Sequence, residues 1–140
     1  MLDDKLLAKS GGKFNTSVLQ AKVVALYFSA SWCGPCRSFT PALAQLYTDK
    51  LKSAGVEVVF ISSDQDDSSF AKYYQSMPWL AVPFDARDVK QELSERFEIQ
   101  GIPSLIVLDA ATGKVVSKDG RRDVMSHKAD VGNFWLRQIK

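Results

Sequence analysis

The sequence has few of the residues that metal sites and disulfide scaffolds require. It contains two cysteines and one histidine in 140 residues. A structural zinc ion usually takes four Cys or His ligands, so zinc lacks ligands here and no metal is expected. Cys33 and Cys36 are only two residues apart, and a bridge that closes so short a loop constrains little of the unfolded chain. A purely structural disulfide is therefore the weaker interpretation of the pair.

A strong charge of either sign is also missing. The chain has 18 Lys and Arg against 16 Asp and Glu, a formal net charge of +2. This balance favours neither a nucleic-acid partner nor a membrane surface. Residues 1–7 contain acidic side chains where a signal peptide carries basic ones, and no apolar stretch approaches the length of a membrane span. We therefore expect a cytoplasmic or nuclear protein, where paired thiols are more often catalytic than structural.

The composition is typical of one folded domain. Hydrophobic residues make up 46% and charged residues 24% of the chain, and this length suffices for a single core. No internal repeat, low-complexity tract or linker is evident, although Gly11-Gly12 and the polar run over residues 118–130 are predicted to be loops. We treat residues 1–140 as a single domain and expect a monomer.

Apolar runs alternate with amphipathic stretches along the chain. Residues 23–28 and 56–61 are predicted strands, joined by an amphipathic helix from Pro35 to about Lys52. Strand, helix and strand in this length form a parallel βαβ unit. Pro41 lies inside the helix and predicts a kink near Arg37.

The second half of the chain completes an α/β pattern. Asp66 or Asp67 is expected to cap the next helix. The predicted elements are helices over 66–76, 89–97 and 131–139, an ordered loop over 77–84 that packs its aromatic side chains, and an antiparallel hairpin of strands 104–108 and 114–117.

The motif Cys33-Gly34-Pro35-Cys36 directly follows the first predicted strand. Pro35 suits the first turn of a helix, so Cys33 is expected at a helix N-terminus. The free N–H groups and the helix dipole at that end favour a thiolate, which is the species that attacks disulfides. Cys36 is near enough to close back onto Cys33. The pair is therefore predicted to cycle between dithiol and disulfide.

Four segments carry a specific likeness to a known family. They are Tyr27-Phe28-Ser29-Ala30-Ser31-Trp32-Cys33, Phe39-Thr40-Pro41, Met77-Pro78-Trp79-Leu80-Ala81-Val82-Pro83-Phe84 and Gly101-Ile102-Pro103-Ser104-Leu105. With them, the chain resembles the thioredoxin superfamily and, more narrowly, its tryparedoxin and nucleoredoxin branch, from about Gly12 to Trp135. The resemblance implies a thioredoxin-like α/β fold with a central mixed β-sheet flanked by helices.

The resemblance also implies roles for the residues around the thiols. Cys33 would be the exposed nucleophile that forms a mixed disulfide with substrate, and Cys36 the more buried resolving thiol. Trp32 would lie beside the sulfurs as an apolar shield and substrate platform, with a core aromatic as the alternative. Gly34 and Pro35, which lie between the two cysteines, are also expected to contact the substrate.

Further substrate contacts are implied on the opposite side of the motif. Pro103 matches the cis-proline that faces the disulfide in this family, which leaves the backbone of Ile102 free to pair with an extended substrate. Arg121 falls where tryparedoxins carry an arginine that can meet a substrate carboxylate, and a solvated loop cation is the alternative. Asp64 and Asp66 are candidates for the electrostatics of the site.

Two positions depart from the patterns of the family. Thioredoxins carry a buried aspartate where this chain has Tyr27, so proton transfer at Cys36 must use water, the Tyr27 hydroxyl or another group. Gly34 stands where tryparedoxins and nucleoredoxins have proline, which loosens the loop between the sulfurs and can shift the redox potential. The same motif occurs in thioredoxin, whose reduction potential is about −270 mV, so we expect a reductant rather than an oxidase.

Two functions remain open from the sequence. The favoured one is a thiol–disulfide oxidoreductase that reduces protein disulfides and can supply electrons to a peroxidase. The alternative is a redox-gated protein-binding module of nucleoredoxin type with little turnover. The expected partners are disulfide-containing clients and an electron donor, which is trypanothione, glutathione or a thioredoxin reductase. No cofactor is expected.

Overall fold

The structure is a computed structural model and describes residues 21–139. The predicted Gly11-Gly12 loop and residues 1–7 lie outside the described residues. The elements are β1 (Val23–Ser29), α1 (Gly34–Leu46), a π-helical turn (Tyr47–Leu51), β2 (Val56–Ser62), α2 (Asp67–Tyr74), β3 (Leu80–Ala81), α3 (Arg87–Arg96), β4 (Ser104–Asp109), β5 (Val115–Ser117), α4 (Gly120–His127), a 3-10 turn (Lys128–Asp130) and α5 (Val131–Arg137).

These strands form a mixed sheet in the order β3-β2-β1-β4-β5. The parallel pair β1–β2 runs in register from Val23 opposite Val56 to Ser29 opposite Ser62, and β2–β3 is also parallel. The pairs β1–β4 and β4–β5 are antiparallel. The predicted βαβ unit, the hairpin and the mixed sheet are therefore confirmed, with β1 in the middle.

Both faces of the sheet are covered, which explains why β1 and β2 are almost continuous apolar runs whose residues are all buried. The larger core lies on the face that packs against α1 and α5, and it includes Tyr27, Leu43 and Trp135. The smaller core lies on the other face, against α3, and includes Phe28 and Leu93.

The first helix starts where the sequence predicts. Cys33 is its N-cap residue and a proline occupies the first turn. The helix continues through Pro41 to Leu46 and then passes into the π-helical turn, which the sequence did not predict. The kink expected near Arg37 stays a prediction.

Two predicted loops contain regular structure. The prediction of a loop over residues 118–130 is wrong, because α4 and the 3-10 turn occupy it. Val124 and Gly120 are the buried residues of α4, too few to give a helical apolar pattern, so tertiary packing decides. Over residues 77–84, Leu80–Ala81 pairs with β2, but two residues are too short for an alternation signal. The predicted aromatic packing there is confirmed, since Trp79 is 1% exposed.

The remaining helices lie within a few residues of their predicted bounds. Asp66 caps α2, as expected, with its carboxylate accepting the N–H of Ser69 at 2.7 Å. Among the described residues, no helix is both long enough and apolar enough to cross a membrane.

Candidate active site

Both thiols lie where β1 ends and α1 begins. The Cys33 backbone is extended, with φ −93° and ψ 115°, and its Sγ accepts the N–H of Cys36 at 3.3 Å. A sulfur in this position faces the positive end of the helix, where negative charge is stabilised. The predicted helix-terminal position of Cys33 is confirmed.

The two sulfurs differ in access. The expectation of an openly exposed nucleophile is wrong, because Cys33 is only 7% exposed, whereas Cys36 is fully buried at 0%. The segment at Ile102 lies against the first thiol, whose Sγ is 3.7 Å from the Ile102 carbonyl oxygen. The bond between Ile102 and Pro103 is cis, as the resemblance implied. Of the two cysteines, only Cys33 retains exposed surface, and that surface is small.

Burial changes the acidity of the inner thiol. Desolvation raises the pKa of Cys36 to about 11, and its hydrogen bond with Cys33 adds to the rise. The side chain of Ser29 acts in the opposite direction and lowers the pKa. Cys36 is therefore protonated at neutral pH and must lose a proton before it can attack.

A chain of hydroxyl groups leads away from Cys36. Ser29 Oγ shares a 2.8 Å hydrogen bond with the Tyr73 hydroxyl, which shares a 2.7 Å bond with Thr40 Oγ1. Thr40 Oγ1 in turn shares a 2.6 Å bond with the Tyr27 hydroxyl. Burial raises the pKa of both tyrosines, so both stay neutral and can pass a proton without holding a charge.

Sequence reasoning named Tyr27 as a candidate for proton transfer but missed the other hydroxyls. Tyr73 lies on α2, far along the chain from the thiols, and no local pattern distinguishes it from its neighbour Tyr74. Tyr74 is 8% exposed and donates to the Trp79 carbonyl oxygen at 2.5 Å. The signal that could have found Tyr73 was Tyr27 itself, because a buried hydroxyl needs polar partners from another element.

Trp32 stands at the surface beside Cys33. Its side chain is 58% exposed, so the alternative interpretation as a core aromatic is wrong. The indole N–H donates to the Ser63 carbonyl oxygen at 3.0 Å. Gly34 and Pro35 are exposed next to it, and a Cβ added at Gly34 would meet nothing within 4 Å. An apolar, accessible surface thus borders the thiols.

Arg121 lies on the side of α1 that faces α4. It belongs to the first turn of α4, so its interpretation as a loop cation is wrong. Its guanidinium carbon is 5.9 Å from the ring centroid of Phe39, which is one turn beyond Cys36 on α1. Arg121 is exposed. The structure therefore places this cation of α4 near Phe39 of α1, the helix that begins at the two thiols.

The two aspartates that the sequence suggests for the electrostatics of the site have different environments. Asp64 is 5% exposed and accepts the N–H of Ser31 at 2.8 Å, next to Trp32. The carboxylate of Asp66 is exposed and serves the cap of α2. Within residues 21–139 no group of His, Cys, Asp or Glu side chains is arranged to hold a metal ion.

Comparison with known proteins agrees with this geometry. The family model described as Thioredoxin-like matches residues 20–115. A tryparedoxin of Trypanosoma brucei brucei is 46% identical over 129 residues, which is 92% of this chain and 88% of that protein. The chain belongs to the thioredoxin superfamily, in its tryparedoxin and nucleoredoxin branch. Probable nucleoredoxin 1 of Arabidopsis thaliana is 40% identical over 98% of this chain, which spans 24% of that longer protein.

Solved structures show the same fold. The structure of tryparedoxin from Trypanosoma brucei superposes with a TM-score of 0.87 at 42% identity, covering 96% of this chain and 92% of that one. A tryparedoxin II complexed with glutathionylspermidine gives a TM-score of 0.85 at 34% identity over 91% of this chain and 88% of that one. The thioredoxin-like fold is therefore confirmed, and with its Cys33–Cys36 pair the chain is a thioredoxin-like redox protein.

Proposed function

We propose that the protein is a thiol–disulfide oxidoreductase that reduces disulfide bonds in protein clients. The observation that carries the proposal is the asymmetry of the two thiols. Cys33 caps a helix and retains 7% exposure, whereas Cys36 is fully buried and has a pKa of about 11. The Cys33 thiol is suited to attack a client disulfide. The Cys36 thiol is suited to stay protonated until it attacks the mixed disulfide at Cys33.

The reaction transfers two electrons to the client. The Cys33 thiolate attacks one sulfur of the client disulfide, a mixed disulfide forms, and the other client sulfur leaves as a thiolate that takes up a proton. Cys36 then loses its proton and attacks Cys33 Sγ. The Cys33–Cys36 disulfide forms, and the remaining client sulfur leaves as the second thiol.

The hydroxyl chain serves the second step. Cys36 must be deprotonated while it is buried, and the side chain of Ser29 interacts with it directly. Ser29 is linked through Tyr73 and Thr40 to Tyr27 by bonds of 2.6 to 2.8 Å. Neutral hydroxyls in such a chain can accept one proton and release another, as general acid–base transfer requires.

The surface around Cys33 supports binding of an extended segment of the client. The indole of Trp32 offers an exposed apolar face, and the backbone of Ile102 borders the sulfur on the other side. We propose that Arg121, which is exposed on α4 near Phe39, pairs with a client carboxylate. Gly34 and Pro35 leave room between these contacts.

A thiol donor returns the protein to its reduced form, since one dithiol molecule or two monothiol molecules reduce the Cys33–Cys36 disulfide and leave as the donor's own disulfide. One structural neighbour holds glutathionylspermidine, so a low-molecular-weight thiol of that kind is our first candidate, ahead of glutathione or a thioredoxin reductase. We further propose that the protein acts as a monomer in the cytoplasm or nucleus, without a bound cofactor, and that a peroxidase is among its clients.

Reduction of insulin disulfides with dithiothreitol as donor tests this function. We expect catalytic turnover in the wild type, complete loss in Cys33→Ser, and a trapped mixed disulfide with client in Cys36→Ser. Met125→Ala, which changes an exposed side chain (61%), is the control and should match the wild type. Wild-type turnover no faster than that of Cys33→Ser would refute the proposed enzymatic activity. Redox-dependent client binding without turnover would favour a nucleoredoxin-like binding module, as the partial coverage of the plant relative allows.

A separate titration tests the direction of electron flow. The protein is equilibrated with glutathione buffers of defined potential, and the fraction of free thiol is measured. As a reductant of client disulfides, it should have a reduction potential near that of thioredoxin, about −270 mV. A reduction potential of the Cys33–Cys36 pair well above about −200 mV would instead identify an oxidant.

A further inference from the structure

Hydrogen bonds fasten the turn after β1 to the end of β2. One carboxylate oxygen of Asp64 accepts both the N–H of Ser31, at 2.8 Å, and the hydroxyl of Ser31, at 2.5 Å. The other oxygen accepts the hydroxyl of Ser62 at 2.7 Å. The indole N–H of Trp32 donates to the Ser63 carbonyl oxygen at 3.0 Å. Ser63 and Asp64, which directly follow β2, therefore hold Ser31 and Trp32, the two residues before the nucleophile.

The same turn is also fixed from the side of α1. The Arg37 guanidinium donates to the Ser31 carbonyl oxygen at 2.7 Å. The N–H of Cys33 donates to the Ala30 carbonyl oxygen at 3.2 Å. Ser31 thus has its N–H, its hydroxyl and its carbonyl oxygen all in hydrogen bonds, immediately before Trp32. Two of those three bonds end on Asp64.

Burial cannot be what holds the indole in place. Trp32 is 58% exposed, whereas Asp64 is 5% exposed. A large side chain at the surface keeps one orientation only if its backbone and its polar atom are restrained. The hydrogen bonds that Ser31 donates to Asp64 supply the backbone restraint.

We propose that Asp64 is a positioning residue for client recognition, which acts through Ser31 to hold the Trp32 indole beside Cys33. The inference rests on the proposed reduction of protein disulfides. Without the carboxylate, each protein client would have to order the turn and the indole as it binds, which raises KM. A small disulfide reagent that reaches Cys33 without covering the indole would be affected far less.

Three variants test the role of Asp64. Asp64→Ala removes every acceptor, and Asp64→Asn keeps an oxygen for Ser31 while its amide can donate to the Ser62 hydroxyl. Asp67→Ala changes a nearby exposed aspartate in the first turn of α2 and is the matched control. The measurements are kcat and KM for insulin, the rate with Ellman's reagent, and acrylamide quenching of tryptophan fluorescence, which detects the exposed indole above the buried ones.

For Asp64→Ala we expect kcat/KM for insulin to fall about five- to tenfold through KM, the magnitude expected for ordering one side chain. The rate with Ellman's reagent should stay within about twofold of the wild-type rate. Acrylamide quenching of the Trp32 fluorescence should differ from that of the wild type, because the indole is no longer held. Asp64→Asn should recover most of the loss, and Asp67→Ala should behave as the wild type.

Equal losses with insulin and with Ellman's reagent would overturn the proposal, because the carboxylate would then act on the sulfur chemistry. A folded Asp64→Ala with wild-type KM and quenching would overturn it as well. If Asp64→Ala does not fold, Ser31→Ala replaces it, with the same expected directions and a smaller change. Absence of insulin turnover in the wild type would instead refute the proposed function, while quenching still tests the restraint on the indole.

Discussion

At the residue scale, hydroxyl groups take the place of a carboxylate beside Cys36. Tyr27 stands where thioredoxins proper have an aspartate, and its hydroxyl is bonded to Thr40 Oγ1 at 2.6 Å. Thr40 also donates to the carbonyl oxygen of Cys36 at 2.8 Å, which ties the hydroxyl chain to the helix turn of the thiol. Because these groups are neutral, they add no negative charge that would oppose the formation of a Cys36 thiolate.

Tyr73→Phe should slow the resolving step. The change removes a hydroxyl that bonds both Ser29 Oγ and Thr40 Oγ1, so the chain from Cys36 loses one of its links. We expect the mixed disulfide to decay about tenfold more slowly near pH 7, below the usual range for loss of a full acid–base group. The difference should shrink as the pH approaches the Cys36 pKa of about 11, since hydroxide then removes the proton. Rapid-quench trapping measures the decay.

The neighbouring phenol provides the control for that experiment. Tyr74→Phe deletes a hydroxyl on the same helix whose bond goes to the Trp79 carbonyl oxygen. Equal slowing in both variants would show that packing of α2, and not the hydroxyl chain, sets the rate.

Glu57→Gln should stabilise the protein at neutral pH. Glu57 is 4% exposed and accepts the Tyr47 hydroxyl at 2.7 Å, and burial raises the pKa of its carboxyl above 4.5. The folded state therefore favours the protonated acid, and its stabilising effect is lost as the pH rises from about 4.5 through the raised pKa. Urea unfolding at pH 4.5 and pH 8 should show that the wild type loses stability over this interval relative to the variant.

An exposed carboxylate separates this effect from general charge removal. Glu92→Gln on α3 changes an exposed side chain and should leave the pH dependence of unfolding as in the wild type. If Glu57→Gln were less stable than the wild type at both pH values, lost hydrogen bonding would outweigh desolvation and the prediction would be wrong.

At the element scale, the placement of α4 depends on one close backbone contact. A Cβ added at Gly120, the first residue of the helix, would lie 2.6 Å from the Leu105 carbonyl oxygen and 2.8 Å from Leu105 Cγ. Only a residue without a side chain lets the helix start this close to β4. Arg121 follows directly, so the same contact positions the cation next to Phe39.

Gly120→Ala should therefore destabilise the fold and displace Arg121. We expect a loss of about 1–3 kcal/mol in the free energy of unfolding, the usual cost of overpacking. Gly34→Ala is the stability control, because Gly34 also begins a helix and its added Cβ meets nothing within 4 Å. Thermal unfolding of both variants measures the difference, and equal melting temperatures would contradict the prediction.

The elements that the sequence predicted are those with a strong local pattern. The apolar runs of β1 and β2 and the Asp66 cap of α2 are encoded by neighbouring residues. Helix α4 and strand β3 are not, because α4 has too few buried positions and β3 is two residues long. Both are stabilised by contacts with distant strands, which no window of sequence contains.

The candidate site divides in the same way. Cys33 and Cys36 follow from a motif of four residues, together with the strand before it. The exposure of Cys33, at 7%, depends on the segment around Ile102, which lies 69 residues away. Tyr73 reaches the site from 33 residues beyond Thr40. Motifs thus predict which groups react, whereas the groups that cover them and carry protons come from the tertiary fold.

At the scale of the whole molecule, the last two helices complete the larger core. The Thioredoxin-like family model matches residues 20–115, whereas α4 and α5 lie after that region. Trp135 on α5 is 0% exposed, and its indole N–H donates to Asp123 on α4 at 3.0 Å. The same carboxylate accepts the hydroxyl of Ser117 on β5 at 2.5 Å. Asp123 therefore joins three elements at one side of the sheet.

Trp135→Ala should cost much of the stability of the domain. Removing a buried tryptophan typically costs about 3–5 kcal/mol, and here it also leaves Asp123 without one donor. Met125→Ala, on the exposed surface of α4, should change the free energy of unfolding by less than about 0.5 kcal/mol. Urea denaturation compares the two variants, and similar midpoints would show that α5 contributes little to the core.

The position of Cys33 beside Cys36 affects how the Cys33 sulfur withstands oxidation by peroxide. A peroxide that reached this sulfur would convert it to a sulfenic acid, which stays reversible only if a second oxidant does not follow. The Cys36 thiol, which is hydrogen-bonded to the Cys33 side chain, can condense with the sulfenic acid and release water. Irreversible sulfinic damage should consequently accumulate in Cys36→Ser long before it is detectable in the intact pair.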